Sequence, residues 1–462
     1  MVEFARTTSF DSLPPEVVAM GRDLLIDSIG CALGGHGVTK GKAAIAMTRD
    51  FGAGDDVTII GGKKASLFGG SFANGELMNA IDMDSVVVPG HVTPYVVPPV
   101  MSAAEITKAS GKELIRANVL AHEVACRVAG AYTALRTKRV IDGETRFVLS
   151  DATGYGSTIV GGAIGAGLLL KLDAMGLQNC FGIAAYQAPV PALAKYLRLP
   201  YSPTVKYTSA GWVAAGSVLA ARLAAAGYTG DREVLEGEYG FWRMFASDIC
   251  DWNFMFGEIG KRWIIATAEF KPYPSFRMGH PGVEAFVKLL ESEKLKPEDI
   301  DRIDVRTDPV SASPVYLNRE IRSHSDAYIA WSYVLAVSSL YPPGPAWQSP
   351  EALNDPRVKA LAAKVNVKGD WSKTADRTSR SDIVSHPVEV VVQARGKKHV
   401  ANLMPYPKGH PKRPLTEKEF DGKFLHNSGW RFTAEKSAAL LKTLKGLAGM
   451  PNTAPLFAQL AE

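Results

Sequence analysis

Apolar residues recur at helical spacing through about the first 260 residues of the chain. The stretch PPEVVAMGRDLLIDSIGCALGG (14–35) begins with prolines and ends with glycines, which suit the start and the end of a helix. GKELIRANVLAHEVACRVAGA (111–131) places its large apolar residues on one face. TSAGWVAAGSVLAARLAAAG (208–227) is almost wholly small and apolar, which indicates a buried helix. Together these patterns predict a large helical region.

The glycines of GGAIGAG (161–167) lie in a further apolar stretch of this region. Their order does not match the dinucleotide fingerprint GxGxxG, and no acidic residue follows a strand at the required distance. Gly161 and Gly165 are four residues apart, a spacing that lets two helices approach closely. We therefore interpret them as packing residues.

The pattern changes after about residue 268. IDRIDVRTD (300–308) and HPVEVVVQARGKKHVAN (386–402) alternate like half-buried strands, and the second predicts a hairpin with its turn at Arg395 and Gly396. The tail from about residue 414 returns to a helical pattern. We expect a mainly α protein with an inserted α+β lid: a helical domain at 1–268, a lid domain at 269–405, and C-terminal helices at 406–462 that return to the helical domain.

Composition narrows the function classes. The 462 residues are 46% hydrophobic, with 52 basic and 47 acidic residues and a net charge of +5. This mild, dispersed excess does not indicate nucleic-acid binding, and no apolar run is long enough for a membrane span. The four cysteines lie far apart, without zinc-site spacing, which favours buried free thiols and a cytoplasmic location.

Ionisable residues interrupt the apolar stretch AIDMDSVVVPGHVTP (80–94). Asp82 and His91 lie on either side of a Pro-Gly turn and can meet if the loop folds back, in which case the carboxylate orients an acid or base. Asp84 is expected only to cap or brace the loop. The alternative is a helix cap at Asp82 and a surface histidine.

Basic residues in two other stretches indicate an anion site. Lys206 precedes the buried helix, where it either meets an anion or extends to the surface. Lys271, Arg277 and His280 stand between prolines in FKPYPSFRMGHP (270–281), a pattern that suits a rigid anion clamp or a solvated interdomain turn.

Two weaker signals complete the candidate site. Tyr316 and Arg319 follow a predicted strand in VYLNRE (315–320), where a packed tyrosine is the simpler interpretation. DATGYGSTI (151–159) begins the glycine-rich helix with amides and hydroxyls that could bind a carboxylate, namely those of Gly156, Ser157 and Thr158. These stretches together predict a cationic, cofactor-independent pocket between a helical domain and a lid.

Six motifs in order resemble those of the MmgE/PrpD family. They are DSIGCALGG (27–35), FANGELMNAIDMDSVVVPGHVTPYVVPPVMSAAE (72–105), KYTSAGWVAAGSVLAARLAAAG (206–227), FKPYPSFRMGHP, VYLNR (315–319) and KEFDGKF (418–424). The resemblance spans nearly the whole chain. It implies a helical domain built from both chain ends with an inserted α+β lid. It also implies a homodimer that needs no metal or organic cofactor and acts on small di- or tricarboxylates.

The resemblance also implies roles for individual residues. Its catalytic positions fall on Asp82, His91, Lys206, Lys271 and Tyr316. Ser85, Gly156, Ser157, Thr158, Arg277, His280 and Arg319 are the expected substrate-binding residues. The chain departs from the family pattern at Ser85, where a second adjacent aspartate is common, and at Gly156 and Phe276, where histidines are expected. These replacements favour a smaller, more apolar pocket or a different proton donor.

The expected function is a cofactor-free lyase for a small anionic metabolite. A base removes a proton beside a carboxylate or carbonyl, lysines stabilise the developing charge, and a lid excludes water. Dehydration ranks first, epimerisation or another isomerisation second and decarboxylation third. A carboxylate-binding protein without turnover remains an alternative. A hydrolase built on Ser157 is less favoured because GYGST lacks the GxSxG elbow.

Overall fold

Helices form most of the chain in the computed structural model, which describes residues 1–132, 136–149, 152–373, 388–401 and 406–462. The helices before residue 268 are α1 (Val2–Thr7), α2 (Pro15–Gly35), α3 (Thr39–Met47), α4 (Leu67–Met78), α5 (Thr93–Thr107), α6 (Gly111–Tyr132), α7 (Ile159–Leu169), α8 (Ala174–Tyr186), α9 (Leu193–Tyr196), α10 (Ala210–Ala225), α11 (Phe241–Met244) and α12 (Trp252–Phe256).

The remaining elements include the main sheet and the last helices. The later helices are α13 (His280–Ser292), α14 (His324–Ala327), α15 (Trp331–Ser338), α16 (Pro350–Asn354), α17 (Pro356–Ala362), α18 (Glu417–Ser428), α19 (Ala434–Lys445) and α20 (Ala454–Leu460). The strands are β1 (Val57–Thr58), β2 (Lys64–Ala65), β3 (Arg136–Ile141), β4 (Glu144–Leu149), β5 (Ile300–Thr307), β6 (Val365–Gly369), β7 (Val388–Ala394) and β8 (Lys397–Val400).

The three helices with the clearest patterns are confirmed as α2, α6 and α10. The packing interpretation of the glycines is also confirmed. A Cβ at Gly161 would lie 2.3 Å from the Ala121 carbonyl oxygen of α6, and one at Gly165 would lie 2.6 Å from a Val100 methyl of α5. Only glycine lets α7 approach these two helices so closely.

The main sheet has the strand order β6-β5-β7-β8, with β5 and β6 parallel and the other pairs antiparallel. The predicted strands are confirmed, although residues 386, 387 and 402 of the second stretch lie outside the described part. Arg395 and Gly396 join β7 to β8 with φ values of 51° and 70°, which suit a two-residue hairpin turn. Strand β6 was not predicted.

The mainly α fold with a smaller α+β region is confirmed, with one correction. The first part of the chain is not all-helical, because the pairs β1–β2 and β3–β4 lie within it. Both pairs are antiparallel and closed by short connections, so they add hairpins to the helical layer without a larger sheet.

The C-terminal helix α18 packs against α2. A Cβ at Gly30 would lie 3.1 Å from the Phe424 ring, and the Lys423 ammonium pairs with the Asp27 carboxylate, both of them buried. This contact joins residues from the two ends of the chain. The division into domains at residues 268 and 405 stays a prediction, and residue 405 itself lies outside the described residues.

Two further observations bear on the sequence predictions. Cys31, Cys126 and Cys180 are buried free thiols, and Cys250 is half-buried. Across the described ranges, every helix is too short or too polar to cross a membrane.

Candidate active site

The loop after α4 folds back on itself, as the convergence of Asp82 and His91 requires. Val87 and Gly90 exchange backbone hydrogen bonds of 2.8 and 2.6 Å, which form a tight turn. Val86 pairs with Glu269 through two backbone hydrogen bonds of 2.9 and 2.7 Å. This pairing fixes the loop against the segment that leads to Lys271.

Asp82 accepts hydrogen bonds from two buried lysines on one carboxylate oxygen. Lys271 Nζ lies 2.8 Å and Lys206 Nζ 3.0 Å from Asp82 Oδ1. All three residues are buried, with Lys271 fully enclosed. The predicted lysines and aspartate are thus brought together from three distant parts of the sequence.

Two members of this group have unusual backbones. Asp82 has a φ of 53° and Lys206 has a φ of 56°. Both values lie in the left-handed region, which residues other than glycine seldom occupy. Such a conformation costs roughly 1 kcal/mol or more for each residue. The left-handed conformation of Lys206 belongs to a turn just before α10, in which the Lys206 backbone N–H donates a 2.8 Å hydrogen bond to the Pro203 carbonyl. The surrounding packing therefore holds both side chains in place against local backbone preference.

His91 is oriented by Asp84, which corrects the prediction that Asp82 orients it. The distance from His91 Nδ1 to Asp84 Oδ2 is 2.6 Å, whereas Nε2 lies 3.6 Å from Asp82 Oδ1. An ionised carboxylate can only accept, so Nδ1 carries the proton and Nε2 has the free lone pair. Asp84 is therefore not merely a loop brace.

Burial and neighbouring charges set the protonation states of this cluster. Burial raises the pKa of Asp82, but Lys206 and then Lys271 outweigh it and hold the value at about 2. Burial also opposes ionisation of Asp84, but the His91 contact holds its pKa well below the usual range. Burial lowers the pKa of His91, and the charges of Lys206 and Lys271 add to this effect, so the net shift is downward although Asp84 raises the pKa. His91 is therefore a neutral imidazole near pH 7.

A second layer of polar side chains holds Asp84. The Asn79 amide nitrogen lies 3.2 Å from Asp84 Oδ1, and Lys40 Nζ lies 2.9 Å from the Asn79 side-chain oxygen. Lys40 also pairs with Glu76 at 3.1 Å. Because the Lys40 ammonium can only donate, Asn79 must present its NH₂ group to Asp84.

Aromatic rings surround His91 and Lys206. The centroids of the Tyr155 and Tyr207 rings each lie 5.9 Å from that of His91. Lys206 Nζ lies 4.9 Å from the Tyr328 centroid and 5.2 Å from that of Tyr207, in cation–π range. The lysine is thus held by rings as well as by Asp82.

Tyr316 lies beside the cluster in a packed aromatic group. Its ring centroid is 4.8 Å from that of Phe276, which in turn lies 4.9 Å from Trp331. Burial raises the pKa of Tyr316 well above the usual range, and Tyr196 and Tyr155 add to this effect. The phenol is therefore protonated at neutral pH. Phe276 fills its position with a tightly packed ring.

The predicted clamp residues Arg277 and His280 are both buried, but they are held by protein groups. Arg277 forms an ion pair with Glu269, and His280 Nε2 lies 3.1 Å from the Ser275 carbonyl oxygen. Burial, followed by the charges of Arg277 and Lys271, lowers the pKa of His280 well below its usual range. His280 is therefore a neutral neighbour of the lysine and not a cation of the clamp.

The remaining loop candidates are buried and occupied by internal contacts. Ser85 Oγ lies 2.9 Å from Thr93 Oγ1, and Thr158 Oγ1 donates to the Tyr155 carbonyl at 2.6 Å. A Cβ at Gly156 would lie 2.2 Å from the Pro189 carbonyl oxygen, so this backbone has no room for a side chain there. The Ser157 hydroxyl is fully buried and, within the described part of the chain, makes no hydrogen bond to a histidine or carboxylate, as a nucleophilic serine would.

Arg319 was predicted to bind substrate, and its contacts lie elsewhere. Its guanidinium donates to the Val365 carbonyl at 2.7 Å and to the Ala363 carbonyl at 3.5 Å, at the edge of the main sheet. The side chain is exposed. Its role in this structure is to hold β6, because the arginine faces the peptide carbonyls that precede and begin that strand.

Asp82, Asp84 and His91 are close enough to suggest a metal site. Their ligand atoms lie within 4.8 Å of one another. However, Asp82 Oδ1 already accepts bonds from two ammonium groups, and a divalent ion bound there would be repelled by both. The arrangement therefore fits an organic anion better than a metal ion.

Several residues near the cluster were missed in the sequence analysis. Gln348 Nε2 donates to the carbonyls of Ile81 and Pro274, at 2.8 and 3.2 Å, and so ties the Asp82 loop to the Lys271 segment. Lys423 Nζ donates to the Met83 carbonyl at 2.9 Å. Tyr155 lies within the stretch DATGYGSTI (151–159), and its aromatic character was the available signal. The bonds of Gln348 and Lys423 link distant segments and have no local signal.

The geometry provides a neutral imidazole with a free lone pair beside two ammonium groups in a buried setting. The imidazole can accept a proton, and the ammonium groups can stabilise negative charge that develops on a bound acid. Tyr316 adds a protonated phenol. This combination suits proton removal next to a carboxylate.

Comparison with known proteins gives two family matches and several distant relatives. A model of the MmgE/PrpD N-terminal domain matches residues 1–250, and one of the MmgE/PrpD C-terminal domain matches residues 273–446. Cis-aconitate decarboxylase from Aspergillus terreus (strain NIH 2624 / FGSC A1156) is 26% identical over 314 residues, which are 65% of this chain and 61% of that protein. The 2-methylcitrate dehydratase-like protein oryR from Aspergillus oryzae (strain ATCC 42149 / RIB 40) is 26% identical over 193 residues, 39% of this chain and 38% of that protein. The match with the decarboxylase thus spans about three fifths of that relative's length.

Proposed function

The chain belongs to the MmgE/PrpD family, and we propose that it is a cofactor-independent lyase of the dehydratase type. It removes a proton next to a carboxylate or carbonyl of a small organic acid. The observation that carries this proposal is the His91 imidazole, held by Asp84 at Nδ1 and located beside the lysine pair on Asp82.

His91 acts as the base through Nε2. Its lowered pKa keeps the lone pair available at neutral pH, and the Asp84 contact stabilises the imidazolium that forms. Proton removal places negative charge on the substrate carboxylate as an enolate develops. Lys206 and Lys271 stabilise that charge, and the stabilisation is largest where water is excluded.

Loss of the leaving group completes the reaction. In dehydration, the α C–H bond gives its proton to His91, a C=C bond forms, and the β hydroxide leaves as water after taking up a proton. Tyr316 is the proposed donor for that proton, because its phenol is protonated and lies in the same buried region. The relatives named as a decarboxylase and as dehydratase-like support a lyase in general.

Two alternatives share the same site. An epimerase or decarboxylase acting on a related acid would use the same base and lysine pair, with reprotonation or carbon dioxide loss in place of dehydration. A family member that binds a carboxylate without turnover would need the lysines and not the oriented His91. The buried Asp84–His91 pair supports catalysis over binding alone, because it orients a neutral imidazole that can act as a base.

The protein is also proposed to act in the cytoplasm as a homodimer without a metal or organic cofactor. Support for the dimer is the concentration of exposed large apolar side chains in one stretch of the chain, which comprises Tyr186, Val190, Tyr201, Val205, Trp212, Leu219, Tyr228, Tyr239, Met244, Ile249, Trp252 and Phe256. Measurement of the molar mass in solution tests whether the protein is a homodimer.

Proton NMR in deuterium oxide tests the proposed reaction. Wild type, His91→Ala and the control His399→Ala would be incubated with hydroxy, unsaturated and amino acids that carry one to three carboxylates. The expected result is deuterium at the α position or a new vinyl signal with wild type and the control, and its loss in His91→Ala. Binding without exchange for every acid would overturn the lyase proposal and leave the binding role.

A further inference from the structure

Lys206 and Lys271 are held close together in spite of their like charges. Both ammonium groups donate to the same Asp82 oxygen, at 3.0 and 2.8 Å, and all three side chains are buried. Burial lowers the pKa of Lys271. Asp82 opposes this shift, whereas the charge of Lys206 adds to it. Because two buried ammonium groups repel each other, the position of each lysine depends on contacts beyond the shared carboxylate.

The short helix α14 and Tyr328, which follows it, contact the Lys206 segment at two points. Lys206 Nζ lies 4.9 Å from the centroid of the Tyr328 ring, in cation–π range. Asp326 Oδ1 accepts a 3.0 Å hydrogen bond from the Ser202 backbone N–H, four residues before Lys206. One contact therefore holds the ammonium group, and the other holds the backbone that leads to it.

The Asp326 carboxylate is itself fixed by several donors. It is buried, and besides the Ser202 N–H it accepts hydrogen bonds from the Asn318 amide at 2.9 Å, the Ser323 hydroxyl at 3.0 Å and the Arg322 backbone N–H at 3.1 Å. A buried carboxylate is costly unless its oxygens are bonded, so these donors keep Asp326 in one position. Asp326 thus gives the Ser202 backbone a rigid point of attachment.

Tyr328 also contacts the segment of the second lysine. Its carbonyl oxygen accepts a 3.0 Å hydrogen bond from the Phe276 backbone N–H, at the end of the stretch FKPYPSF (270–276) that contains Lys271. The ring and the carbonyl of one residue therefore contact the two segments that carry the lysines. The left-handed backbone of Lys206, with a φ of 56°, makes this support more important, because such a conformation persists only where its surroundings hold it.

We propose that Tyr328 is a positioning residue of the site, whose ring holds the Lys206 ammonium against Asp82, while Asp326 anchors the backbone of the same segment. The proposal rests on the proposed function, because the role of Lys206 there is to stabilise developing negative charge. Movement of α14 away from the site releases Lys206, so the docking of α14 and the formation of the lysine pair are coupled.

Labelling with acetic anhydride tests the position of the lysines without any substrate. Wild type, Tyr328→Leu and Tyr328→Phe would be labelled briefly, and the acetylated fraction of each lysine measured by mass spectrometry of peptides. Lys206 is expected to react about tenfold faster in Tyr328→Leu, whereas the phenylalanine ring keeps most of the protection. Lys423, which is buried and paired with Asp27, should keep its rate in all three proteins.

The comparison of these two lysines separates positioning from general destabilisation. Faster labelling of Lys206 alone supports the proposal. Equal acceleration of Lys206 and Lys423 would show that Tyr328 only stabilises the fold. An unchanged rate at Lys206, or equal acceleration in Tyr328→Phe and Tyr328→Leu, would show that the ring does not hold the ammonium group.

Asp326→Asn tests the backbone anchor, and it remains informative if Tyr328→Leu does not fold. An amide cannot accept hydrogen bonds on both of its ends, so Lys206 labelling is expected to rise about threefold. Asp355→Asn is the control, because Asp355 also accepts from a backbone N–H, that of Arg357 at 2.8 Å, at the start of α17. Equal Lys206 labelling in Asp326→Asn and wild type would overturn the role of Asp326.

Turnover separates this proposal from the lyase proposal. With an acid whose α proton exchanges in wild type, Tyr328→Leu is expected to lower kcat about tenfold and to change KM by less than about threefold, because Lys206 acts mainly on charge that develops during the reaction. Selective Lys206 labelling without exchange of any acid keeps the positioning role and overturns the lyase. Exchange that depends on His91, with labelling and kcat unchanged in Tyr328→Leu, keeps the lyase and overturns the positioning role.

Discussion

Asp84 and His91 form a buried pair in which the carboxylate fixes the tautomer of the imidazole. The 2.6 Å contact at Nδ1 leaves Nε2 as the acceptor, on the side of the ring nearer the lysine pair. The orientation of this ring depends on a layer behind it, since Asn79 donates to the same Asp84 carboxylate. Removal of the Asp84 charge should therefore alter both the geometry and the pKa of the base.

Asp84→Asn is expected to lower the turnover rate about a hundredfold or more. Burial lowers the pKa of His91, and Asp84 raises it, so the variant should lower the pKa further. The acid limb of the rate profile, where the base becomes protonated, should then move to lower pH. Rates of α-proton exchange measured against pH check this, with the exposed Asp11→Asn as control. An unchanged profile would exclude Asp84 as the orienting group.

Asp82→Asn is expected to destabilise the fold by roughly 3–5 kcal/mol, because it leaves two buried ammonium groups without their carboxylate. The double variant Asp82→Asn/Lys271→Met should recover part of the loss, since it removes one of these charges. Urea unfolding of wild type, the single variant and the double variant gives the free energies of unfolding for this comparison. Equal stability of the single variant and wild type would contradict the tight coupling of Asp82 to the lysines.

His122 should contribute to acid sensitivity without affecting catalysis. It is fully buried in α6, and burial lowers its pKa to about 4. Between pH 6.5 and 4 the unfolded chain binds a proton that the folded chain does not, so stability falls as the pH is lowered through this range. His122→Gln should reduce the slope by about 1.4 kcal/mol per pH unit. Unfolding free energies at several pH values test this, and an unchanged slope would refute it.

Gly156→Ala is expected to cost about 1–3 kcal/mol, because the added methyl group would overlap the Pro189 carbonyl. Gly422→Ala in α18 is the matched control. A Cβ there meets no atom of the described residues within 4 Å, so helix propensity should make that variant more stable by about 0.5–1 kcal/mol. Thermal unfolding of both variants shows whether each one is less stable or more stable than wild type. A tolerated Gly156→Ala would show that the Pro189 segment moves freely.

The sequence predicted elements with strong local patterns and the stretches that form the site. The apolar patterns of helices α2, α6 and α10 continue over several turns, so tertiary packing did not override the helices that these patterns predict. Strand β6 was missed because it is a short edge strand in which only Val365 is fully buried. The wrong partner was assigned to His91 because Asp82 and Asp84 have equivalent sequence signals. The left-handed backbone at Asp82 belongs to the loop conformation that brings its carboxylate to the lysines, and no local pattern specifies it.

The contact between α2 and α18 has a consequence for the order of events during synthesis. Lys423 joins Asp27 to the carbonyl of Met83, within the loop that carries Asp82 and Asp84. A ribosome that has made only the first half of the chain has produced the loop but not the lysine that fixes it. Assembly of the site must therefore wait until α18 has emerged, so a nascent chain that ends before residue 423 should bind ligand weakly even where its helices have formed.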